Sequence, residues 1–229
     1  QNGSAWAWGL NDKGQVGSGN TTTPQRWPVE VAGLGTVVAV AAGFDFTLAL
    51  EDDGTVHAWG ANTYGQLGDG TTVDSLVPVQ VDGLTSIVAI AAGKWHALAL
   101  RSDGSVWAWG YNYSGQLGDG TQLQRNVPTI VRSLAGVASV SAGELHSVAT
   151  TTAGRVWVWG DNSYGQVGDG SLAVQRTLPV LLPAPTDVAT VGSGASSWHV
   201  LALTTDYGVR AWGYNNSGQV GDGTAVTRR

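Results

Sequence analysis

The stretch YGQLGDGT, Tyr64–Thr71, sets three glycines around a glutamine and an aspartate. Alone it reads as a phosphate-cradling loop, a calcium loop or a plain turn. Its surroundings decide. A Trp-Gly pair stands just before it at Trp59-Gly60, and the same pair occurs at Trp8-Gly9, Trp109-Gly110, Trp159-Gly160 and Trp212-Gly213. After each pair runs Asn-x-x-Gly-Gln-x-Gly-x-Gly, in the copies NDKGQVGSG, NTYGQLGDG, NYSGQLGDG, NSYGQVGDG and NNSGQVGDG. Five copies in fixed register at intervals near 50 residues mark a repeat architecture.

Each full period holds four strand-like runs. The first is small and apolar: Val37–Ala42, Ile87–Ala92, Val137–Ala142 and Val188–Gly192. The second is TLAL at Thr47–Leu50, with ALAL, SVAT and VLAL in the later copies. A hairpin signal follows at Asp53-Gly54, Asp103-Gly104, Ala153-Gly154 and Tyr207-Gly208, where glycine accepts a positive φ. The third run is TVHAW, SVWAW, RVWVW or GVRAW. The glycine loop then leads to a fourth, such as VPVQV at Val77–Val81, with its proline expected at the start of an outer strand. No ten-residue stretch carries helical periodicity. Four short strands per period describe a β-propeller blade. The expected fold is all-β, a propeller of four-stranded antiparallel blades forming one domain over 1–229. Its repeats run approximately 1–36 (partial), 37–86, 87–136, 137–186 and 187–229 (partial).

Composition agrees. Charged residues are 12% of the chain and glycine fills 34 of 229 positions, about half and twice their usual shares. That suits apolar sheets joined by tight turns and argues against disorder. Net charge is -6, and Arg228-Arg229 is the one run of cations. Neither nucleic acid nor an anionic membrane surface is an expected partner. No apolar run nears the roughly 18 residues that span a bilayer. Cysteine and methionine are absent, which removes a disulfide frame and thiolate metal sites. A chain opening at Gln1 is expected to be a mature or excised segment.

The segment IVAIAAGKWHALALRSDGSVWAWGYNYSGQLGDG, Ile87–Gly120, resembles the repeat of the RCC1 family, named after the regulator of chromosome condensation. The likeness extends over the whole chain. WD40 and kelch repeats fit worse, for the chain has no Trp-Asp and no Gly-Gly. The resemblance implies a ring that usually closes with seven blades, needing roughly 350 residues at about 50 each. This chain holds four blades' worth of runs plus a surplus third run. It is therefore expected to be a partial ring from a longer protein, half of a homodimer that completes one ring, or a four-bladed ring with a spare strand. The family includes a nucleotide exchange factor acting through an inserted β-wedge, which this chain lacks, and bacterial secreted inhibitors of β-lactamase. The latter imply an extracellular or cell-surface bacterial protein.

Framework positions are those that repeat. Trp59, Trp109, Trp159 and Trp212 are expected to pack between sheets. Asn62, Asn112 and Asn162 are expected to satisfy turn backbone, and Gln66, Gln116 and Gln166 to bridge strands or blades. His96, His146 and His199 align at the start of the second run, with Phe46 in the remaining copy and no evident compensation for it. They read as buried histidines bonded to a neighbouring blade's backbone, or as an axial metal ring of an enzyme. His57 reads as a strand position. Glu51-Asp52-Asp53 read as solvated turn residues.

Function is expected where the copies differ. The turn between first and second runs carries Phe44-Asp45, Lys94-Trp95, Glu144-Leu145 and Ser197-Trp198. Large aromatics beside charges of both signs suit a protein-binding surface. The leading expectation is a non-enzymatic scaffold for a protein partner of unknown identity, needing no cofactor and no metal. The alternatives are a carbohydrate-binding module using exposed Trp95 and Trp198, the metal-dependent enzyme, and a purely architectural segment. No nucleophile motif such as Gly-x-Ser-x-Gly or His-Glu-x-x-His is present.

Overall fold

A computed structural model describes residues 3–229. Among them every regular element is a strand. β1 (Trp6–Gly9) and β2 (Gln25–Glu30) make a two-stranded sheet. Three four-stranded sheets follow: β3 (Val37–Ala42) to β6 (Ser75–Gln80), β7 (Ile87–Ala92) to β10 (Arg125–Ile130), and β11 (Val137–Ala142) to β14 (Gln175–Leu181). β15 (Val188–Gly192), β16 (His199–Thr204) and β17 (Val209–Gly213) form the last sheet. Within the four-stranded sheets the strands pair antiparallel in chain order, as a propeller blade requires.

The first strands of successive sheets converge: β3 and β4 lie against β7, β7 and β8 against β11, and β11 and β12 against β15. Their small residues (VVAVAA in β3, IVAIAA in β7) let the sheets crowd around a shared axis. The core lies between sheets. Leu48, Leu50 and Val56 of one sheet meet Ala97, Ala99 and Trp109 of the next, and the pattern recurs twice more. Each such Trp removes a large apolar area from water, so its truncation to Ala costs roughly 3–5 kcal/mol.

Register repeats as the composition does. Phe46, His96, His146 and His199 all pair with the glycine of a Trp-Gly. The prolines do not start their strands. Pro78 falls inside β6, opposite the register break between Ala58 and Gly60, where the ladder asks for no donor. Glu51 is also not a solvated turn residue. It is buried, accepts the Gly35 N–H at 2.9 Å and stands 3.1 Å from His57 Nδ1. In the last hairpin the residue at positive φ is Tyr207 (66°), where the earlier hairpin has Gly54 (82°).

The two ends of the array differ from its middle. Trp6, Trp8 and Leu10 are 54–63% exposed. With Val40, Phe44 and Trp59 they line a cavity of about 360 Å³ beside β1, where other sheets carry their first two strands.

Candidate protein-binding face

The asparagine of each glycine loop is fully buried and closes that loop on itself. Asn62 Oδ1 accepts the Leu67 N–H at 2.9 Å, while its Nδ2 donates to Asp69 Oδ1 and Thr71 Oγ1. Asn112 and Asn162 do the same for Leu117 and Val167. Arg125, Arg176 and Arg228 clamp Asp119, Asp169 and Asp222 of their own loops. Burial alone would raise the Asp119 carboxyl, but hydrogen bonds from Thr121 and Arg125 outweigh it and hold it below the ordinary range. The YGQLGDGT loops are thus stitched shut by their own side chains.

The glutamines join blades through the backbone rather than the side chain. Gln66 Oε1 accepts the Tyr64 N–H inside its own loop. Its carbonyl instead accepts the Trp109 indole N–H of the following sheet at 2.9 Å. The same latch joins Trp59 to Gln15, Trp159 to Gln116 and Trp212 to Gln166, at 2.8–3.0 Å. The second glycine of the loop makes room for the indole. A methyl on Gly68 would stand 2.8 Å from Trp109 Nε1, and Gly17, Gly118 and Gly168 are equally tight.

The histidines lie just inside the turns. His96 and His146 are wholly buried. His96 Nε2 lies 2.9 Å from Ser147 Oγ, and that hydroxyl donates to the Gln116 carbonyl. His96 Nε2 therefore carries the proton, an assignment made from the network. His146 Nε2 meets Ser193 Oγ at 3.1 Å, and Ser193 donates to the His199 carbonyl. The bonded groups of the neighbouring sheet include serine hydroxyls, and at His96 also the His146 backbone. Burial pushes both imidazoles down to about 3. Burial also lowers half-buried His199, whose Nδ1 lies 3.1 Å from Ser197 Oγ. Phe46 does have a compensation: Ala97 stands in the next sheet where Ser147 faces His96, so Phe pairs with Ala and His with Ser. Among the described residues no group of three His, Cys, Asp or Glu is arranged to hold a metal ion.

The turns after β3, β7, β11 and β15 share one face with the glycine loops. They are hydrogen-bonded to one another in sequence: Phe44 N–H to the Lys94 carbonyl, Lys94 N–H to Glu144, and Glu144 N–H to Ser197, at 2.9–3.3 Å. Lys94 spans three turns. Its Nζ bonds Glu144 Oε1 at 2.8 Å and lies 4.5 Å from the Trp95 ring centre and 5.3 Å from that of Phe44. Phe44 is exposed, whereas Asp45, Glu144 and Leu145 are half-buried. Burial, then the Asp12 charge, raises the Asp45 carboxyl.

Trp95 and Trp198 are half-buried in aromatic triads, not freely exposed. Trp95 meets Tyr64 and Tyr111 at 5.4 and 5.5 Å between ring centres, and Tyr113 extends the group. Trp198 meets Tyr164 and Tyr214 at 5.1 and 5.3 Å. One tyrosine comes from the preceding sheet's loop. The other follows the blade's own Trp-Gly, and its N–H bonds the tryptophan's carbonyl at 2.9 Å. Tyr111 and Tyr214 were not singled out from the sequence. The signal was there: the copies with Trp in the turn are those with Tyr after Trp-Gly, whereas Asp45 and Leu145 go with Ala61 and Asp161. The triads stand two sheets apart on one face.

Comparison with known proteins fits this architecture. The RCC2 homolog of Danio rerio is 46% identical over 76 residues, 32% of this chain and 15% of that protein. Human RCC2 is 42% identical over 76 residues, 14% of its length. Human WBSCR16 superposes with a TM-score of 0.87 at 26% identity, covering all of this chain and 61% of that one. Yeast RCC1 (Prp20), solved bound to Kap60, gives 0.85 at 25% identity, covering 99% of this chain and 56% of that one. The same yeast protein has been described with its binding to Gsp1p and histones. This chain thus spans a little over half of these propeller chains and a small part of the RCC2 proteins. The RCC1-like domain model matches residues 1–229 without a break, and the chain belongs to the RCC1-like domain family.

Proposed function

We propose that the protein is a non-enzymatic scaffold that binds a protein partner through the face bearing Phe44, Lys94, Trp95, Glu144 and Trp198. The observation that carries this reading is the pair of aromatic triads, built at equivalent positions two sheets apart. Tyr and Trp give large contact area at little entropic cost, and interface anchors are enriched in them. The backbone-bonded row of four turns holds them rigid, which lowers the ordering cost of binding. Relatives support the reading, since the yeast protein binds Kap60, Gsp1p and histones. The E3 ubiquitin-protein ligase HERC2 also matches, but over 2% of its length, so its catalytic name does not transfer. An extracellular or cell-surface setting is supported by the resemblance to bacterial secreted inhibitors alone.

The test compares two variants in partner capture and then in affinity for the purified partner. Trp95→Ser with Trp198→Ser changes the triad face. Asp53→Ala with Asp103→Ala changes the hairpins on the opposite face. We expect the first pair to weaken binding at least tenfold and the second to leave it unchanged. Loss with the hairpin pair and retention with the triad pair sinks the proposal.

A further inference from the structure

The turn that carries Trp95 is hydrogen-bonded between those of Phe44-Asp45 and Glu144-Leu145. Where this turn has Trp95, the one before it has Asp45. Where its sheet has Tyr111 after Trp-Gly, the next sheet has Asp161. The Trp95 triad is therefore flanked by a carboxylate on each side.

Lys94 shows what this face accepts. Its Nζ stands 4.5 Å from the Trp95 ring centre and 2.8 Å from Glu144 Oε1. A cation is thus taken up between an aromatic face and a carboxylate, and it gains from both. Beside it the same ingredients stand without a cation. Tyr111 and Tyr113 stack at 6.4 Å and 21°. Tyr113 is 71% exposed, and no described cation lies over either ring. The loop that carries Tyr113 packs on the sheet of Asp161, for a methyl on Gly160 would lie 3.2 Å from Gln116 Cβ.

The two carboxylates also lack a positive partner. Asp161 accepts the Ser163 hydroxyl at 2.7 Å and the Gln166 amide at 2.6 Å, but forms no ion pair among the described residues. Burial raises its carboxyl in spite of these bonds. The Asp45 carboxylate has no described hydrogen bond at all, and Lys13 is turned instead to Asp74, at 3.9 Å. The loop aspartates Asp119 and Asp169, by contrast, are matched by Arg125 and Arg176. The charge left uncompensated on this face is negative.

We propose that the partner meets this face with a cationic segment, an extended stretch rich in arginine, which lays one guanidinium on Tyr113 against Asp161, crosses the Trp95 triad and sets another at Asp45. The inference rests on the protein-binding reading above and adds the chemistry of the partner to it. Guanidinium fits better than ammonium, because its plane stacks on a ring while its edge donates to a carboxylate. Sheets stack about 10 Å apart, so roughly six extended residues, about 20 Å, reach between junctions two sheets apart. A net charge of -6 draws such a segment in from a distance.

The probe is a labelled peptide of roughly twelve residues, alternating arginine and serine, read by fluorescence anisotropy beside the same peptide with glutamate for arginine. The arginine peptide should bind and the glutamate peptide should not. Asp161→Asn and Asp45→Asn should each weaken binding about fivefold. Asp103→Asn removes the same charge from the opposite face and should leave binding unchanged. Lys94→Gln frees Glu144 and the face of Trp95 and should tighten binding, whereas Arg101→Gln changes net charge equally and should not. If Asp161→Asn melts early, Asp45→Asn decides, since that carboxylate holds no bond in the fold. An arginine peptide that binds no better than its glutamate counterpart overturns the proposal. So does an equal response to Asp45→Asn and Asp103→Asn, or weaker binding by Lys94→Gln. With the captured partner the two readings separate. Binding that is lost with Trp95→Ser and Trp198→Ser but indifferent to Asp45→Asn and Asp161→Asn overturns the cationic segment and leaves the protein-binding face standing.

Discussion

The buried histidines show what one side chain does when water is withdrawn. An imidazole titrates near 6.5 in the unfolded chain and near 3 at His96 and His146. Between those values the unfolded chain binds the extra proton. Stability is therefore whole above about pH 6.5 and falls as pH drops toward 3, by about 1.4 kcal/mol per pH unit for each histidine. Melting at pH 7.5 and 5.0 reads this, and His96→Phe should remove about half of what the two wholly buried histidines contribute to the slope. At neutral pH His96→Phe alone should cost about 1 kcal/mol for the lost bond to Ser147. Adding Ser147→Ala recreates the Phe46–Ala97 pair and should recover most of that cost. A double-mutant cycle with no coupling would contradict the pairing.

At the scale of elements, the latch and the hairpin give two expectations. Trp109→Phe keeps most of the packing but leaves the buried Gln66 carbonyl without its donor, at roughly 1–3 kcal/mol. Trp159→Phe should cost less, because the Gln116 carbonyl still accepts Ser147 Oγ at 2.8 Å. Denaturant unfolding of the two variants decides, and equal costs would mean the latch bond carries little. Tyr207 sits at φ 66° and is 88% exposed, so it pays for a left-handed backbone and packs on nothing. Tyr207→Gly should stabilise the last hairpin by about 1 kcal/mol, seen as a raised melting temperature.

For the whole molecule, a stack of sheets each touching only its neighbours should be most stable where a sheet is covered on both sides. Amide exchange should be fastest in β1 and β2, where Trp6 and Trp8 lie open, and slowest in β7–β10, covered on both sides. Uniform protection would refute that. This architecture was readable in the sequence because Trp-Gly and the glycine loop recur at one interval, and the small apolar runs coincide with β3, β7, β11 and β15, whereas β4 and β6 begin one and two residues before the runs read at Thr47 and Val77. The proline position was not, because spacing alone does not show the register break opposite Pro78. The latch was also hidden: its acceptor is a main-chain carbonyl, which every residue carries. Nor did any local pattern reveal the triads, since Tyr64, Trp95 and Tyr111 come from three separate segments. Only a copy-by-copy comparison links them.

The latch also runs one way along the chain. Every completed loop waits for an indole 43–46 residues downstream. At ribosomal speeds of about 5–20 residues per second, that is a delay of about 2–9 seconds. During synthesis each blade therefore stands unfinished until its successor emerges, and completion travels from the first blade toward the last.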